Sequence, residues 1–278
     1  MPTPNRPRQP TGHAAWQWVV TDDGSRTLWD ARLEETFHSG CGAVAETLIV
    51  YLSHSGVLSR LRQQAATRVL EYGLGTATGF LLTAAVAEFY RTPLVFTALE
   101  SSLLPSEIFG QLDLATTVKH CISGGFAQTA VADPQFKLAE FSALPSLSDA
   151  FVEAVAGWQA EPATRPLTAR IGAFVELQLW IGDACHWIPG DMRGVAPNVA
   201  SFDAIYFDPF SPEKNPELWT TGVFGRAAAA LRPGGLLTSY CVKSSVRRSL
   251  QQCGMLVHKA AGPVGGKREV LVAQRAST

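Results

Sequence analysis

One carboxylate, Asp208, ends an apolar run from Phe202 to Phe207 and is followed at once by Pro209, Phe210, Pro212 and Pro216. Proline fixes φ and removes a backbone donor, so a chain that leaves a strand here cannot re-enter regular structure. The expected product is a stiff loop that holds one acid and one aromatic ring, Phe210, at the carboxyl edge of a strand. In open α/β sheets that edge is where ligands bind. An acid there can accept N–H bonds from an amine and orient its lone pair, and a nearby ring can stack on a base. Lys214, on the same loop, reads either as a phosphate contact or as a solvated lysine.

A second cluster lies upstream. Val69 to Tyr72 reads as a short strand, Gly73-Leu-Gly75-Thr-Ala-Thr-Gly79 as a loop, and Phe80 to Tyr90 as an apolar helix. Glycines allow close backbone approach, and a helix N-terminus offers free N–H groups to a ligand. The next strand, Leu94 to Leu99, ends in Glu100, where an acid can accept from both ribose hydroxyls of a nucleoside cofactor. A third strand, Phe174 to Ile181, ends in Gly182-Asp183. Asp183 is either an acceptor for an adenine amino group or a helix N-cap.

The elements that must position these residues alternate between strand and helix. Beyond Asp208 come a helix over Thr220 to Leu231, a glycine turn at Arg232 to Gly235, and a strand over Leu236 to Cys241. A helix over Ser244 to Cys253 and strands over Met255 to Ala260 and Glu269 to Ala273 follow. Such alternation implies a mainly parallel sheet. The last two strands lack room for a crossover helix and should be antiparallel. Before the glycine loop, Trp16 to Val20 and Arg26 to Trp29 flank an Asp-Gly turn and read as a hairpin. Gly42 to Leu52 reads as a helix. The expected organisation is a disordered tail at 1–12, a hairpin-and-helix extension at 13–66, and a catalytic domain at 67–278. A helical insertion at about 105–168, with Pro145, Pro162 and Pro166 as breakers, is expected to lie over the ligand edge.

Bulk properties narrow the function. Apolar residues make up 46% of the 278, enough for a core, and the net charge of −1 gives no global field for nucleic acid. From Cys241 onward, however, seven basic residues face one acid, Glu269. Lys243, Arg247, Arg248, Lys267 and Arg268 therefore form a candidate patch for phosphate backbone, or a solvated face. The five cysteines show no paired spacing, which suits a reducing cytoplasm, and no metal site is expected. No stretch approaches the roughly 18 apolar residues of a membrane span.

Asp208-Pro209-Phe210 resembles the (Asp/Asn)-Pro-Pro-aromatic loop of amino-group methyltransferases. More broadly, the chain resembles the family that completes 5-methylaminomethyl-2-thiouridine at the tRNA wobble position (MnmD, the methyltransferase part of bifunctional MnmC). Residues 208–219 carry its Asp-x-Phe-(Ala/Ser)-Pro-x-Lys-Asn-Pro signature through to Trp219. Glu71-Tyr-Gly73-Leu-Gly75-Thr76-Ala77 matches its cofactor loop except that Ala77 replaces a third glycine. Glu34-Glu35-Thr36-Phe37-His38-Ser39, Ala45-Glu46-Thr47, Pro233 to Gly235, Val246 to Leu250 and Gly265 to Leu271 supply further matches. The resemblance covers about 26–101 and 174–275.

It implies a class I S-adenosylmethionine-dependent methyltransferase with a Rossmann-like, mainly parallel seven-stranded sheet and an antiparallel last strand. It implies S-adenosylmethionine held by Glu71, Gly73, Gly75, Thr76, Glu100, Asp183 and Asp208, and a tRNA anticodon stem-loop as partner. Asp208 and Phe210 would be the catalytic pair, and the chain would be the stand-alone form without the fused oxidase. Left open beside this are a methyltransferase for another amine, an NAD(P)-binding oxidoreductase using the same glycine loop, and a non-catalytic RNA-binding module.

Overall fold

The computed structural model describes residues 6–123, 136–160, 167–188 and 201–277. The breakers Pro162 and Pro166 and the first five residues of the expected tail lie outside these. The chain begins with strands β1 (Arg8–Pro10), β2 (Trp16–Val20), β3 (Arg26–Asp30) and β4 (Glu35–Thr36), which form a small antiparallel sheet in that order. A helix, α1 (Ala43–Glu46), continues as a π-helical turn over Thr47–Ser53, and α2 (Val57–Arg62) follows.

Next come β5 (Thr67–Tyr72), α3 (Thr78–Phe89), β6 (Leu94–Glu100), α4 (Ser106–Gly110), α5 (Leu114–Ile122) and α6 (Leu144–Ala160). The chain then runs through β7 (Leu167–Arg170), β8 (Val175–Ile181), β9 (Phe202–Phe207), α7 (Thr221–Ala230) and β10 (Leu231–Ser239). It finishes with α8 (Ser244–Gln252), β11 (Met255–Ala261) and β12 (Glu269–Arg275).

The main sheet has the order β11-β12-β10-β9-β5-β6-β8-β7. Strands β8, β6, β5, β9 and β10 are parallel to one another, and β12 is antiparallel to both β10 and β11. The seven expected strands are all present. An eighth, β7, adds an antiparallel edge beside β8.

Helices cover both faces of this sheet, so its central strands are apolar on both sides, as parallel strands usually are. All six residues of β9 are buried. Ala204 and Tyr206 face a core with Phe80, Phe96 and Phe151, while Ile205 and Phe207 face Trp219, Phe224 and Trp187.

The structure departs from the sequence expectations in three places. Arg8–Pro10, expected within a disordered tail, pairs with β2, and the Arg8 guanidinium stacks 3.7 Å over the Trp29 ring. The Arg232–Gly235 turn lies inside β10, as a bulge between Leu231 and Leu236 where the register with β9 shifts. Of the expected insertion, α6 packs on α3 through Phe151, whose ring is 5.6 Å from that of Phe80 and 4.9 Å from that of Phe109. The stretch just past α4 holds the small sheet: Trp18 Nε1 donates to Gln111 Oε1 at 3.0 Å and Arg26 donates to the Gln111 carbonyl at 3.0 Å. These helices buttress the hairpin rather than cover the ligand edge, because their apolar faces match α3 and the small sheet.

Two stability predictions follow from this packing. Phe151 is fully buried between two rings, so Phe151→Ala should lower stability by about 3–5 kcal/mol in urea unfolding. His38 is buried beyond β4 with Nδ1 3.1 Å from Thr27 Oγ1, and burial holds its pKa down to about 4, opposed by the Asp23 charge. The unfolded chain therefore binds a proton below about pH 6.5 that the folded chain refuses. The contribution of His38 is complete above pH 6.5 and falls by about 3 kcal/mol as pH drops toward 4. His38→Gln should flatten that part of the stability–pH curve.

Candidate active site

Strand register creates the site. Tyr72 pairs with Phe207, Leu99 with Trp180, and Glu100 with Ile181, so β5, β6, β8 and β9 end at one edge. The ladder runs one step further: Asp208 N donates to Tyr72 O (3.1 Å), Gly73 N to Leu99 O (2.9 Å) and Gly182 N to Glu100 O (2.9 Å). Gly73 and Asp208 thus leave the sheet side by side. Gly73 has φ +88°, and a Cβ there would sit 3.1 Å from the Asp208 carbonyl oxygen, so only glycine fits without strain. The edge opens into a cavity of about 580 Å³.

The loop that begins at Asp208 is fastened residue by residue. The Tyr51 hydroxyl donates to Asp208 Oδ1, and the Tyr240 hydroxyl donates to the Pro209 carbonyl at 2.9 Å. Trp219 Nε1 donates to the Phe210 carbonyl at 2.9 Å, and the Ser211 hydroxyl donates to Glu35 Oε2 at 2.8 Å. Four consecutive residues are therefore held by four different segments: the π-helical turn, the end of β10, the turn before α7, and β4. The prolines supply stiffness, and these bonds supply position.

Six carboxylates line the cavity, and three of them, Glu71, Glu100 and Asp208, stand where β5, β6 and β9 end. Glu71 is buried against Gly79, where a Cβ would come within 2.2 Å of Oε1, and its Oε2 has no hydrogen-bond partner among the described residues. Burial, then the charges of Asp208 and Glu100, push its pKa well above the usual range. Asp208 is raised as well, by burial and then by Glu46, which stands behind it. The Tyr51 bond and Lys267 oppose that rise. Glu100 is raised by burial, against N–H bonds from Ser102 at 3.0 Å and Gly75 at 3.2 Å. Acids outnumber the two cations on this wall, Arg32 and Lys214, and that excess favours a cationic occupant.

The remaining sequence-selected residues divide. Gly75, Asp183, Phe210 and Lys214 line the same cavity. Asp183 is exposed and already accepts from Cys185 N (2.8 Å), with His186 Nδ1 at 3.0 Å. It caps the turn after β8 and still faces the cleft. Lys214 lies 3.9 Å from Glu34 Oε2. Thr76 is fully buried with its hydroxyl 2.9 Å from that of Thr78, and its side chain does not reach the cavity. Ala77, in the place of the third glycine, adopts φ +60°, a left-handed conformation costly for alanine, at the start of α3.

None of the basic C-terminal residues lines the cavity. Lys243 pairs with Glu213 and Lys267 lies 4.2 Å over the Tyr240 ring, while Arg248 and Arg268 are exposed and Arg247 is half-buried.

The cavity also has walls that the sequence reading did not select. Trp16, Asp30, Arg32, Leu33, Phe37 and His38 from the small sheet roof it, and Thr47 and Tyr51 from the π-helical turn form one side. Phe37 meets Phe210 edge-on, with centroids 5.0 Å apart. Two resemblance matches lay close to these residues without singling them out as site residues: Glu34 to Ser39, which contains Phe37 and His38, and Ala45-Glu46-Thr47, which ends one turn before Tyr51.

Residues 145–276 match the family described as S-adenosyl-L-methionine-dependent methyltransferase. Over 248 residues the chain is 31% identical to the tRNA 5-methylaminomethyl-2-thiouridine biosynthesis bifunctional protein MnmC of Ralstonia nicotianae, covering 89% of this chain and 33% of that protein. To the protein of the same name from Burkholderia multivorans it is 28% identical over 255 residues, covering 92% of this chain and 34% of that one. The chain thus spans about a third of the length of the curated relatives it matches. The crystal structure of MNMC2 from Aquifex aeolicus shares its fold, with a TM-score of 0.64 at 23% identity, over 99% of this chain and 71% of that one.

The cleft fits a nucleoside cofactor with a cationic centre: the two glycines bring backbone close, Glu100 stands at the end of the second parallel strand, and the unpartnered Glu71 oxygen awaits a donor. The family match and the sheet order lead to the same place: residues 145–276 match the S-adenosyl-L-methionine-dependent methyltransferase family, and the chain has the class I methyltransferase fold.

Proposed function

We propose that the chain methylates the exocyclic amine of 5-aminomethyl-(2-thio)uridine at the wobble position of tRNA, as the names of its relatives suggest. The observation that carries this reading is Asp208: a carboxylate fixed at the cavity wall, with the Phe37–Phe210 aromatic pair beside it. When bound, S-adenosylmethionine supplies an electrophilic methyl group on a sulfonium.

Glu71 Oε2 would accept from the ammonium of the cofactor, Glu100 from its ribose hydroxyls, and Asp183 from its adenine amino group. A single flipped-out base would enter beneath the small sheet, bordered by Phe210 and Phe37. Asp208 grips the N–H bonds of the amine so that its lone pair faces the methyl carbon. Glu71, Glu100 and Asp183 would hold the cofactor so that its methyl group meets that lone pair, and Asp208 would keep the nitrogen oriented toward it. Lys214 and the basic residues 243, 247, 248, 267 and 268 are candidates for contact with tRNA phosphates outside the cleft. A cytoplasmic setting, where tRNA and the free cysteines would coexist, belongs to the same reading.

The direct test is methylation of tRNA from a strain lacking this gene, followed by nucleoside mass analysis. The mass gain of one methyl on the 5-aminomethyl uridine is the expected result. Asp208→Ala should bind S-adenosylmethionine as wild type does and lose at least ~100-fold in transfer. Full activity in that variant would remove Asp208 from the reaction.

The pH profile gives a second check. The amine must be neutral to attack and the Asp208 carboxyl, raised by burial and by Glu46, must be ionised to grip it. Both requirements act in the same direction. Single-turnover rates should therefore rise from pH 6 to 9, and a flat profile with chemistry limiting would contradict the scheme.

A further inference from the structure

Asp208 has two carboxylate oxygens, and the fold treats them differently. Oδ1 accepts from the hydroxyl of Tyr51, 157 residues away in the chain. Oδ2 has no protein partner among the described residues. Tyr51 itself is 1% exposed, its ring packed 5.4 Å from that of Tyr206 on β9, the strand that delivers Asp208. It therefore touches Asp208 through its hydroxyl and the strand below through its ring.

The backbone around Tyr51 is unusual as well. Thr47–Ser53 is a π-helical turn, closed for example by His54 N donating to Ile49 O, five residues back, at 3.1 Å. Such turns are rare and rotate the residues beyond them relative to a regular α-helix. Here the turn brings Thr47 and Tyr51 to the cavity wall together. A plain apolar core contact needs neither the π geometry nor a hydroxyl directed at the carboxylate that opens the loop.

We infer that Tyr51 is a positioning residue for the transfer reaction: its hydroxyl locks Asp208 through Oδ1 so that Oδ2 alone is presented to the substrate nitrogen. The inference rests on the reading of Asp208 as the group that holds the amine. It goes beyond that reading by naming what fixes the carboxylate and which of its oxygens acts. Without Tyr51, the carboxylate turns about χ1 and χ2 and spends part of its time with neither oxygen aimed at the amine.

The test is Tyr51→Phe, which keeps the ring and its packing. The kcat for tRNA methylation should fall roughly 10–100-fold, the loss expected for one hydrogen bond to a charged group. The KM for tRNA and the Kd for S-adenosylhomocysteine by calorimetry should stay within about twofold of wild type, because Glu71, Glu100 and the basic face are untouched. The acid limb of the kcat profile should move to higher pH, because the lost donor stabilised the ionised carboxylate. A role limited to packing would not move that limb.

A second variant covers the case in which Tyr51→Phe folds poorly. Fluorotyrosine placed at position 51 has a more acidic hydroxyl and donates more strongly, so it should move the same limb to lower pH. A kcat within twofold of wild type with an unmoved limb in either variant overturns the inference. A crystal structure of Tyr51→Phe gives a readout that needs no substrate: Asp208 should adopt a second rotamer, and an unchanged carboxylate would also overturn the inference. If wild type transfers no methyl to tRNA, the proposed function fails, while the rotamer still decides the role of Tyr51.

Discussion

Everything at the edge of this sheet answers to one constraint: acids crowd a small, half-enclosed volume where the strands end. Glu71, Glu100 and Asp208 line the cleft and Glu46 stands behind the last of them. Burial and mutual repulsion work against their ionisation. The fold answers each one differently. Glu100 receives two backbone N–H bonds, Asp208 receives a phenol, and Glu71 keeps one oxygen without a partner. A cleft built this way favours a ligand that brings donors and positive charge. The chemistry assigned to the family requires a ligand of that kind.

The sheet does little more than align strand ends, and the chemistry depends on what surrounds them. Parallel register puts Gly73, Glu100, Gly182 and Asp208 on one line. Rigidity comes from elsewhere: a π-helical turn, the end of β10, the turn before α7 and the edge of the small sheet each hold one residue of the Asp208 loop. Such distributed fastening suits a group whose direction matters as much as its presence, since small misplacements of a reacting group are costly in rate.

Much of this was legible in the sequence, for a definite reason. Strands, the glycine loop and the acids at strand ends are set by contiguous residues, and apolar runs ending in Gly or an acid announce them. The proline-rich loop declared its stiffness in the same way. What escaped notice was whatever depends on contacts between distant segments. Phe37 lies in a stretch whose resemblance did not say what its ring meets, Tyr51 lies in a plain apolar helix pattern, and both matter because the chain folds back onto Asp208 and Phe210. The helices near residues 105–160 were legible as helices but not in their location. Periodicity reports which face of a helix is apolar, not what that face meets. Ala77 in a left-handed conformation was visible only as a missing glycine.

The roof and the floor of the cleft come from opposite ends of the chain, and synthesis makes them in that order. Glu35 on β4 meets Ser211, 176 residues later. At about 5–20 residues per second, the small sheet is made roughly ten to thirty-five seconds before the loop it must clasp. Its strands pair locally and form fast, but Trp18 and Leu28, buried in the finished protein, wait in that interval for the surface that covers them. The cleft therefore closes late, as a product of the whole chain's translation, and a nascent chain released early would carry a roof with nothing beneath it.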